Sequence, residues 1–447
     1  MRSLLSLLAL SSLFASSLLP HVNDSASERG RQALTTKAFN PGIWMWHNYE
    51  NAWKNWGQKE KPSEFAKLFL ERYGLHPAPY ENQGLPMGLR VTKGLIGNRS
   101  ITTDCLICHG GSIFGQSYLG LGNSTLDLEA LFEELFGPHG KKSRLLFPFT
   151  NVRGTNEAAA MAVYLFSIRD ENLTLRKPLD LGLRADLCED VPAWWLLKKK
   201  KTMYADGGTD ARSVRALMQF TLNPLATLAS IKRMEPDFQD IHAYLKTIEP
   251  PKYPHPINRQ KAAAGQRLFQ NNCAQCHGTY GDAWSYPNKV IPLEEIGTDA
   301  TRALGLTVRA KEHYERTWFG QEKDADGKRL VTRLTRGYQA PPLDGIWATA
   351  PYFHNGSVPT VYHVLNSSER PLLYTRSFRT NEVDYDHIKL GWKVIKLKAP
   401  PAAELPALER RKIYDTTQPG RGNQGHNYGD HLSDEERMAL IEYLKTL

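Results

Sequence analysis

The sequence predicts a mainly α-helical protein with two domains, long loop insertions and a few short strands. Apolar residues recur at helical spacing in segments of both halves of the chain. A chain of 447 residues, 41% of them hydrophobic, is longer than one hydrophobic core usually serves. The segment 249–258, EPPKYPHPIN, holds four prolines, which cannot continue a helix, and it predicts an interdomain linker. We therefore expect an N-terminal domain over 27–248 and a C-terminal domain over 259–447.

Residues 1–20 have the layout of a secretory signal peptide. One arginine, Arg2, precedes an apolar stretch that runs to about Leu19 and is followed by a proline. The stretch is interrupted by serines and is shorter than a typical membrane span, although a retained anchor is the alternative. No later segment is apolar enough to span a bilayer, so we expect a periplasmic or secreted protein with no stable membrane span after cleavage.

The helical segments can be placed in chain order. In the first domain they cover 63–75, 126–137, 155–173 and 214–231. In the second domain, 259–277 has alanines and large apolar residues at helical spacing, and the final segment 432–447 opens with a capping box of Ser433 and Glu436. We expect this last helix to cross the first helix of its domain. Segments 280–350 and 366–425 are richer in proline, glycine and short β-branched runs, which predicts long insertions with short strands.

The pentapeptide Cys-x-x-Cys-His occurs twice, as CLICH at 105–109 and CAQCH at 273–277. The cysteine pairs of a zinc ribbon commonly lie closer together in sequence, and a thioredoxin-like dithiol does not account for the histidine after each pair. Covalent haem accounts for both features, because two thiols three residues apart on a helical turn reach one porphyrin edge and the next histidine binds iron. The sequence therefore predicts two cytochrome c-like domains with two covalently bound haem c groups, haem 1 at Cys105, Cys108 and His109 and haem 2 at Cys273, Cys276 and His277.

The remaining cysteine and the charge say less about function. Cys188 is expected to be a buried, inert thiol, and with four cysteines in the motifs it leaves no disulfide framework. The formal net charge is +9, with four consecutive lysines at 198–201. An exported protein is not expected to bind nucleic acid, so we interpret this run either as ordinary solvated surface or as a site for an acidic redox partner protein.

A long stretch of the second domain is recognisable as a family motif. The sequence PPLDGIWATAPYFHNGSVPTVYHVL at 341–365 resembles di-haem proteins of the bacterial cytochrome c peroxidase superfamily, in particular the rubber oxygenase branch. GLPMGLRV at 84–91 and PGRGNQGHNYG at 419–429 are similar to that branch as well. The resemblance touches both domains and is more specific for the superfamily than for rubber as the substrate.

This resemblance implies two unequal haems. In the rubber oxygenases the first haem has one histidine ligand and an open or oxygen-occupied position, while the second is closed by two histidines and transfers electrons. Carried over by motif, the second ligand of haem 2 is His426, and His354 is the competing candidate. Near haem 1 the resemblance points to Phe220, Trp194 and Trp195 as catalytic aromatic residues, with ordinary core packing as the alternative. Four methionines of the first half could also close haem 1, although core packing is the ordinary interpretation of each: Met87, Met161, Met203 and Met218.

The number of protein ligands to the iron of haem 1 distinguishes three functional hypotheses. In the first, the protein is a dioxygenase-like enzyme that adds O2 across a C=C bond of a small apolar substrate. In the second, it is a peroxidase that reduces hydrogen peroxide with electrons relayed through haem 2. In the third, both haems have two protein ligands and the protein only transfers electrons. We rank the oxygenase slightly ahead of the peroxidase and leave the substrate open.

Overall fold

The computed structural model describes residues 25–94, 96–136, 152–183 and 187–447. The leader expected at residues 1–20 lies outside this range. Helices make up 38% and strands 13% of the described residues, which confirms helices as the main secondary structure, accompanied by short strands. Within the described residues, no helix is both long and apolar enough to cross a membrane.

In its described residues, the first half contains α-helices of 4 to 18 residues and three small antiparallel sheets. Strands β1, β3 and β2 form one sheet in that order, β4 pairs with β5, and β6 pairs with β7. The elements are α1 (Ala26–Thr36), β1 (Trp44–Met45), α2 (Trp46–Glu50), α3 (Phe65–Tyr73), β2 (Leu89–Lys93), β3 (Arg99–Thr103), α4 (Leu106–His109), β4 (Gly110–Ile113), β5 (Gln116–Leu119), α5 (Leu128–Phe136), α6 (Ala158–Ser167), β6 (Thr202–Met203), β7 (Thr209–Asp210), α7 (Val214–Met218) and α8 (Leu228–Leu245).

The helix expected over 214–231 is two helices in the structure. Helix α7 ends at Met218, a 3₁₀ turn covers Gln219–Thr221, and α8 begins only at Leu228. Pro224 lies in this gap, and proline lacks an N–H and disfavours the helical conformation of the residue before it. Thr227 then caps α8 through its hydroxyl. Apolar periodicity runs through both helices, so the proline was the signal for the break.

The second half is built around its first and last helices, with short elements between them. Strand β8 pairs with β9, β11 with β12, and β10 lies between β13 and β14. The elements are α9 (Arg259–Asn272), α10 (Ala274–His277), β8 (Val290–Pro292), α11 (Leu293–Ile296), α12 (Thr301–Gly305), α13 (Val308–Arg316), β9 (Gly337–Gln339), α14 (Val361–Leu365), β10 (Leu373–Thr375), β11 (Tyr385–Asp386), β12 (Gly391–Trp392), β13 (Ile395–Lys396), α15 (Ala407–Arg410), β14 (Ile413–Asp415) and α16 (Asp434–Leu444).

Helices α9 and α16 cross in close contact, as expected for the first and last helices of a cytochrome c-like domain. Gly265 lies at the crossing, where an added Cβ would stand 2.0 Å from the carbonyl oxygen of Ala439. The capping box predicted at Ser433 and Glu436 starts α16. Helices α1 and α8 make a similar contact, since a Cβ on Gly30 would stand 2.0 Å from the carbonyl oxygen of Asp240. Glycine therefore permits both helix pairs to approach backbone to backbone.

The hydrophobic cores draw residues from both sides of the proline-rich segment. One core combines Trp195 of the first half with Trp347 and Phe269 of the second. The indole Nε1 of Trp347 also donates a hydrogen bond of 2.8 Å to the carbonyl of Pro251. The segment 249–258 is thus packed against the second half, and the division into 27–248 and 259–447 remains a prediction.

Candidate haem-binding sites

The first pentapeptide forms a single helical turn, α4, directly after strand β3. Asp104 fixes the start of this turn, because its Oδ1 accepts a hydrogen bond of 2.8 Å from the backbone N–H of Leu106. Its Oδ2 forms a buried ion pair of 2.7 Å with Arg90. Cys105 and Cys108 are free thiols, and burial raises the pKa of each to about 12. Two unpaired thiols three residues apart on one turn match the requirement for covalent attachment of haem.

The second pentapeptide forms the equivalent turn, α10, at the end of the long helix α9. Cys273 and Cys276 are free thiols as well, and burial raises the pKa of Cys273 to about 12. Among the described residues, the cysteines of the two motifs take part in no cluster of metal-ligating side chains. Two free thiols on a helical turn followed by a histidine fit covalent haem c. Cys188, the fifth cysteine, is buried, as expected of an inert thiol.

Each motif histidine faces the carbonyl group of a proline. The Nδ1 of His277 lies 2.8 Å from the carbonyl oxygen of Pro341, to which it donates, and Nε2 is left as the nitrogen that can bind iron. The carbonyl of Pro192 lies near the ring of His109 and raises its pKa by favouring the protonated ring, but Nδ1 of His109 forms no hydrogen bond of normal geometry. Burial outweighs this effect and lowers the pKa of His109 to about 4. Both imidazoles are therefore neutral at pH 7, as iron binding requires.

His426 is the candidate histidine that the fold brings close to His277. Their ring centres are 6.3 Å apart and their planes differ by 59°. Two imidazoles bound through Nε2 to opposite faces of one iron have ring centres roughly 6.2 Å apart, because each nitrogen lies about 2 Å from the metal and about 1.1 Å from its ring centre. Burial, followed by the neighbouring His277, lowers the pKa of His426 to about 3. The pair fits the two axial ligands of one haem.

His354 is directed elsewhere. Its ring stacks on Tyr338 with centres 3.8 Å apart and planes within 13°. Its backbone carbonyl accepts a hydrogen bond of 2.7 Å from the N–H of Asp190. Of the two candidates, the structure brings His426 and not His354 to His277, while ligation itself remains a prediction.

The loop that carries His426 is held in a strained conformation. His426 has φ of 48°, in the left-handed region that residues with a Cβ rarely adopt. Its N–H donates 2.7 Å to the carbonyl of Ile296, and the buried guanidinium of Arg370 donates to the carbonyls of Asn423 and Gly425, both at 2.7 Å. These bonds fix the backbone at the histidine and in the residues just before it.

Trp194 is the predicted aromatic residue that the structure brings to the first motif. Its ring stacks on that of His109, with centres 4.6 Å apart and planes within 20°. Trp195 points away into the core, where its Nε1 donates 2.8 Å to the carbonyl of Asp344. Phe220 is half-buried in the 3₁₀ turn after α7, and among the described residues no ring contact joins it to His109. The adjacent tryptophans thus have different surroundings, which spacing alone did not distinguish.

Three of the four methionine candidates are buried in hydrophobic cores. Met87 and Met218 belong to the core of α8, and Met203 packs with Ala211 and Ala216. Met87 also packs against the first motif, since a Cβ on Gly110 would lie 2.8 Å from its side chain. The ordinary interpretation, core packing, describes these three side chains, and Met161 is half-buried on α6.

Sequence reasoning did not identify the residues that contact the candidate ligand histidines. Pro341 is the first residue of the recognised motif and Pro192 lies two residues before Trp194, but no sequence pattern connects either carbonyl to a histidine. Arg370 is 56 residues from His426, and only the fold brings the two together.

Comparison with known proteins supports a cytochrome interpretation of this region. The family model described as RoxA-like, cytochrome c-like matches residues 337–375, which include Pro341 and His354. The uncharacterized protein y4iM of Sinorhizobium fredii is 29% identical over 303 aligned positions, which cover 58% of this chain and 64% of that protein. The uncharacterized protein y4iJ of the same organism is 28% identical over 312 positions, which cover 53% of this chain and 50% of that protein. The chain therefore spans less than two thirds of the length of these relatives.

Among solved structures, hydrazine synthase of Kuenenia stuttgartiensis, pressurised with xenon, aligns with 64% of this chain and 88% of its own. Its TM-score is 0.26 and its identity 14%, too low to carry an argument about fold or function. Taken with the free thiols and the oriented histidines, the family match supports a RoxA-like cytochrome c domain with covalently bound haem c in this protein.

Proposed function

We propose that the protein is an exported di-haem c-type oxidoreductase in which haem 1 binds O2 or peroxide and haem 2 transfers electrons. The single observation that carries this proposal is the unequal surroundings of the two motif histidines. His277 has His426 opposite it at 6.3 Å, whereas His109 has Trp194 stacked against its ring. Among the described residues, no second imidazole faces His109. A haem with one protein ligand can bind O2 or peroxide, and a haem with two protein ligands transfers electrons.

The residues of this chain have distinct roles in the proposal. His109 would bind the iron of haem 1, and the stacked indole of Trp194 holds the orientation of its ring. His277 and His426 would both bind the iron of haem 2, and the Pro341 carbonyl holds the proton on Nδ1 of His277. Neutral imidazoles at these positions keep the nitrogen lone pairs available at pH 7. The oxygenase and the peroxidase both need one open haem, so both are compatible with this arrangement.

The rubber oxygenase-like reaction, cleavage of a C=C bond in a small apolar substrate, is the first candidate because of the family match at 337–375. A peroxidase is the second, because reduction of peroxide uses the same open haem with electrons supplied through the closed one. The two reactions differ in their co-substrates. Oxygen uptake with an apolar alkene and no added reductant supports the oxygenase, while peroxide-dependent oxidation of a reduced cytochrome supports the peroxidase. If neither reaction occurs with protein that carries both haems, the enzyme proposal is wrong.

Haem content is tested by mass. The purified protein should be heavier than the chain by two haems and should stain for covalent haem after denaturation. A variant with both Cys105→Ala and Cys108→Ala should lose one haem and keep the other. A Cys188→Ala variant is the matched control and should keep both.

The four lysines at 198–201 are not simply a solvated surface run, because two of them form ion pairs. Lys198 pairs with Glu249 at 2.5 Å and Lys199 with Asp344 at 2.7 Å, and burial lowers the pKa of Lys200 to about 8. An open cavity of about 790 Å³ is lined by both paired lysines together with Arg259 and Trp284.

We propose that an acidic redox partner docks at this cavity. Tyr280 lines it and donates 3.0 Å to the backbone carbonyl of His277, which connects the cavity to haem 2. Electron transfer from the partner to haem 2 should slow as ionic strength rises. At a given ionic strength it should be slower in Arg259→Glu than in the wild type. Equal rates in the variant and the wild type would exclude this surface.

A further inference from the structure

Two histidines and one glutamate converge at a place that neither haem motif uses. His255 belongs to the proline-rich segment 249–258, Glu382 begins a 3₁₀ turn at Glu382–Asp384, and His387 follows strand β11. One ligand atom from each residue lies within 4.8 Å of the other two. The Oε1 of Glu382 is 2.8 Å from Nε2 of His255 and 3.5 Å from Nε2 of His387. The Nε2 atoms of both histidines therefore face the same carboxylate oxygen.

A tyrosine orients one of the two histidines. The hydroxyl of Tyr253 lies 3.0 Å from Nδ1 of His387, so the ring can donate its Nδ1 proton to that oxygen and keep the lone pair on Nε2. Burial, followed by the neighbouring His255, lowers the pKa of His387 and favours the neutral ring. The two imidazoles meet edge to face with centres 4.6 Å apart. Phe114 covers both rings, with centres 6.1 and 5.4 Å away.

We propose that His255, Glu382 and His387 bind one divalent transition-metal ion, with Zn²⁺ as the best match and water in the remaining position. Two imidazole nitrogens and one carboxylate oxygen form a ligand set that zinc uses in open sites. The side chains of the three residues are 36%, 52% and 32% exposed, so an ion can enter from solvent. Atoms that share an ion at about 2 Å are roughly 3–3.5 Å apart. Glu382 and His255, at 2.8 Å, would need to separate slightly, while Glu382 and His387, at 3.5 Å, already have this spacing.

The neighbouring charges are compatible with a cation. Asp386 raises the pKa of His387, while Lys445 lowers it. Lys445 is held by an ion pair of 2.5 Å with Glu442, which offsets part of its charge. The alternative is that His255 and Glu382 form only a surface ion pair, which would need no metal and would be worth little to stability.

A bound ion would join two distant parts of the chain. His255 lies at the predicted boundary between the domains, and the other two ligands lie in the insertion 366–425 of the second domain. Because the ion binds the folded form, Zn²⁺ should raise the melting temperature in a concentration-dependent way. The site is independent of the haem reaction, and its test does not depend on activity.

The test uses holo-protein made without a histidine tag and stripped with a chelator. Calorimetric titration with Zn²⁺ should show one site per chain, and elemental analysis after dialysis should find one zinc beside the haem iron. His387→Ala should abolish binding, Glu382→Gln should weaken it at least about tenfold, and Tyr253→Phe should weaken it about tenfold because the ring loses its orienting partner. An exposed histidine outside the cluster provides the matched control, His431→Ala, which should bind as the wild type does.

Two results would overturn the proposal. One is the absence of saturable Zn²⁺ binding to the wild type. The other is equal affinity in Glu382→Gln and His431→Ala, which would indicate adventitious binding at surface histidines. Ca²⁺ and Mg²⁺ should not displace Zn²⁺, since these ions prefer sites with oxygen ligands only. Displacement by Ca²⁺ would contradict the assigned ligand set.

Discussion

Replacing His426 with alanine should convert haem 2 from a closed to an open haem. The rings of His277 and His426 are centred 6.3 Å apart, so the midpoint lies about 3 Å from each ring centre. Alanine keeps only the Cβ, and the rest of the imidazole volume becomes available to a small ligand such as CO. We expect CO bound per reduced chain to rise from one in the wild type to two in His426→Ala.

The matched variant is His354→Ala, because His354 was the competing ligand and stacks on Tyr338 instead. It should bind one CO, as the wild type does. The assay titrates the reduced protein with CO and monitors the absorbance of both haems. Added imidazole should close the second site of His426→Ala and return the stoichiometry to one. A stoichiometry of one in His426→Ala, or of two in His354→Ala, would refute the assignment.

Three further predictions concern stability, each measured by urea titration. Gly265→Val should lower the free energy of unfolding by about 1–3 kcal/mol, because the new side chain meets the carbonyl of Ala439 at the helix crossing. An unchanged free energy of unfolding would mean that α9 and α16 do not approach so closely. Trp195→Phe should cost about 1–3 kcal/mol, because it leaves the carbonyl of Asp344 without its donor, and a loss below 0.5 kcal/mol, on the order of measurement error, would contradict this. Burial lowers the pKa of His76 to about 4, so the unfolded chain takes up a proton at this residue that the folded chain excludes. The contribution of His76 to stability, present above pH 6.5, should be lost by roughly 3 kcal/mol as the pH drops toward 4, and His76→Gln should make the slope of stability against pH less steep by that amount.

The positions of some helices, namely α3, α5, α6, α9 and α16, and of the turns at the two motifs could be predicted because they depend on local sequence, whereas α1 and α13 were not predicted. The periodicity around α3, α5 and α6, the capping box at Ser433 and the turn at each pentapeptide involve residues within one or two helical turns of each other. The break at Pro224 was also local, but the apolar pattern of the flanking helices concealed it. The strands β2 and β3 before the first motif were missed, since five-residue strands give a weak periodic signal.

The geometry of the candidate sites depended on contacts between distant residues. His426 was chosen by resemblance, and the fold brings it close to His277, which lies 149 positions earlier in the chain. The two tryptophans at 194 and 195 were equivalent in the sequence, but one stacks on His109 and the other is buried against Asp344. Such differences follow from tertiary packing, which no local pattern encodes.

The proposed difference in ligand access between the two haems is tested most directly by titrating the reduced wild-type protein with CO. One CO should bind for every two haems, and only part of the haem absorbance should shift. Binding of no CO would mean that both irons are closed and that the protein only transfers electrons. Binding of two would mean that His426 does not close haem 2.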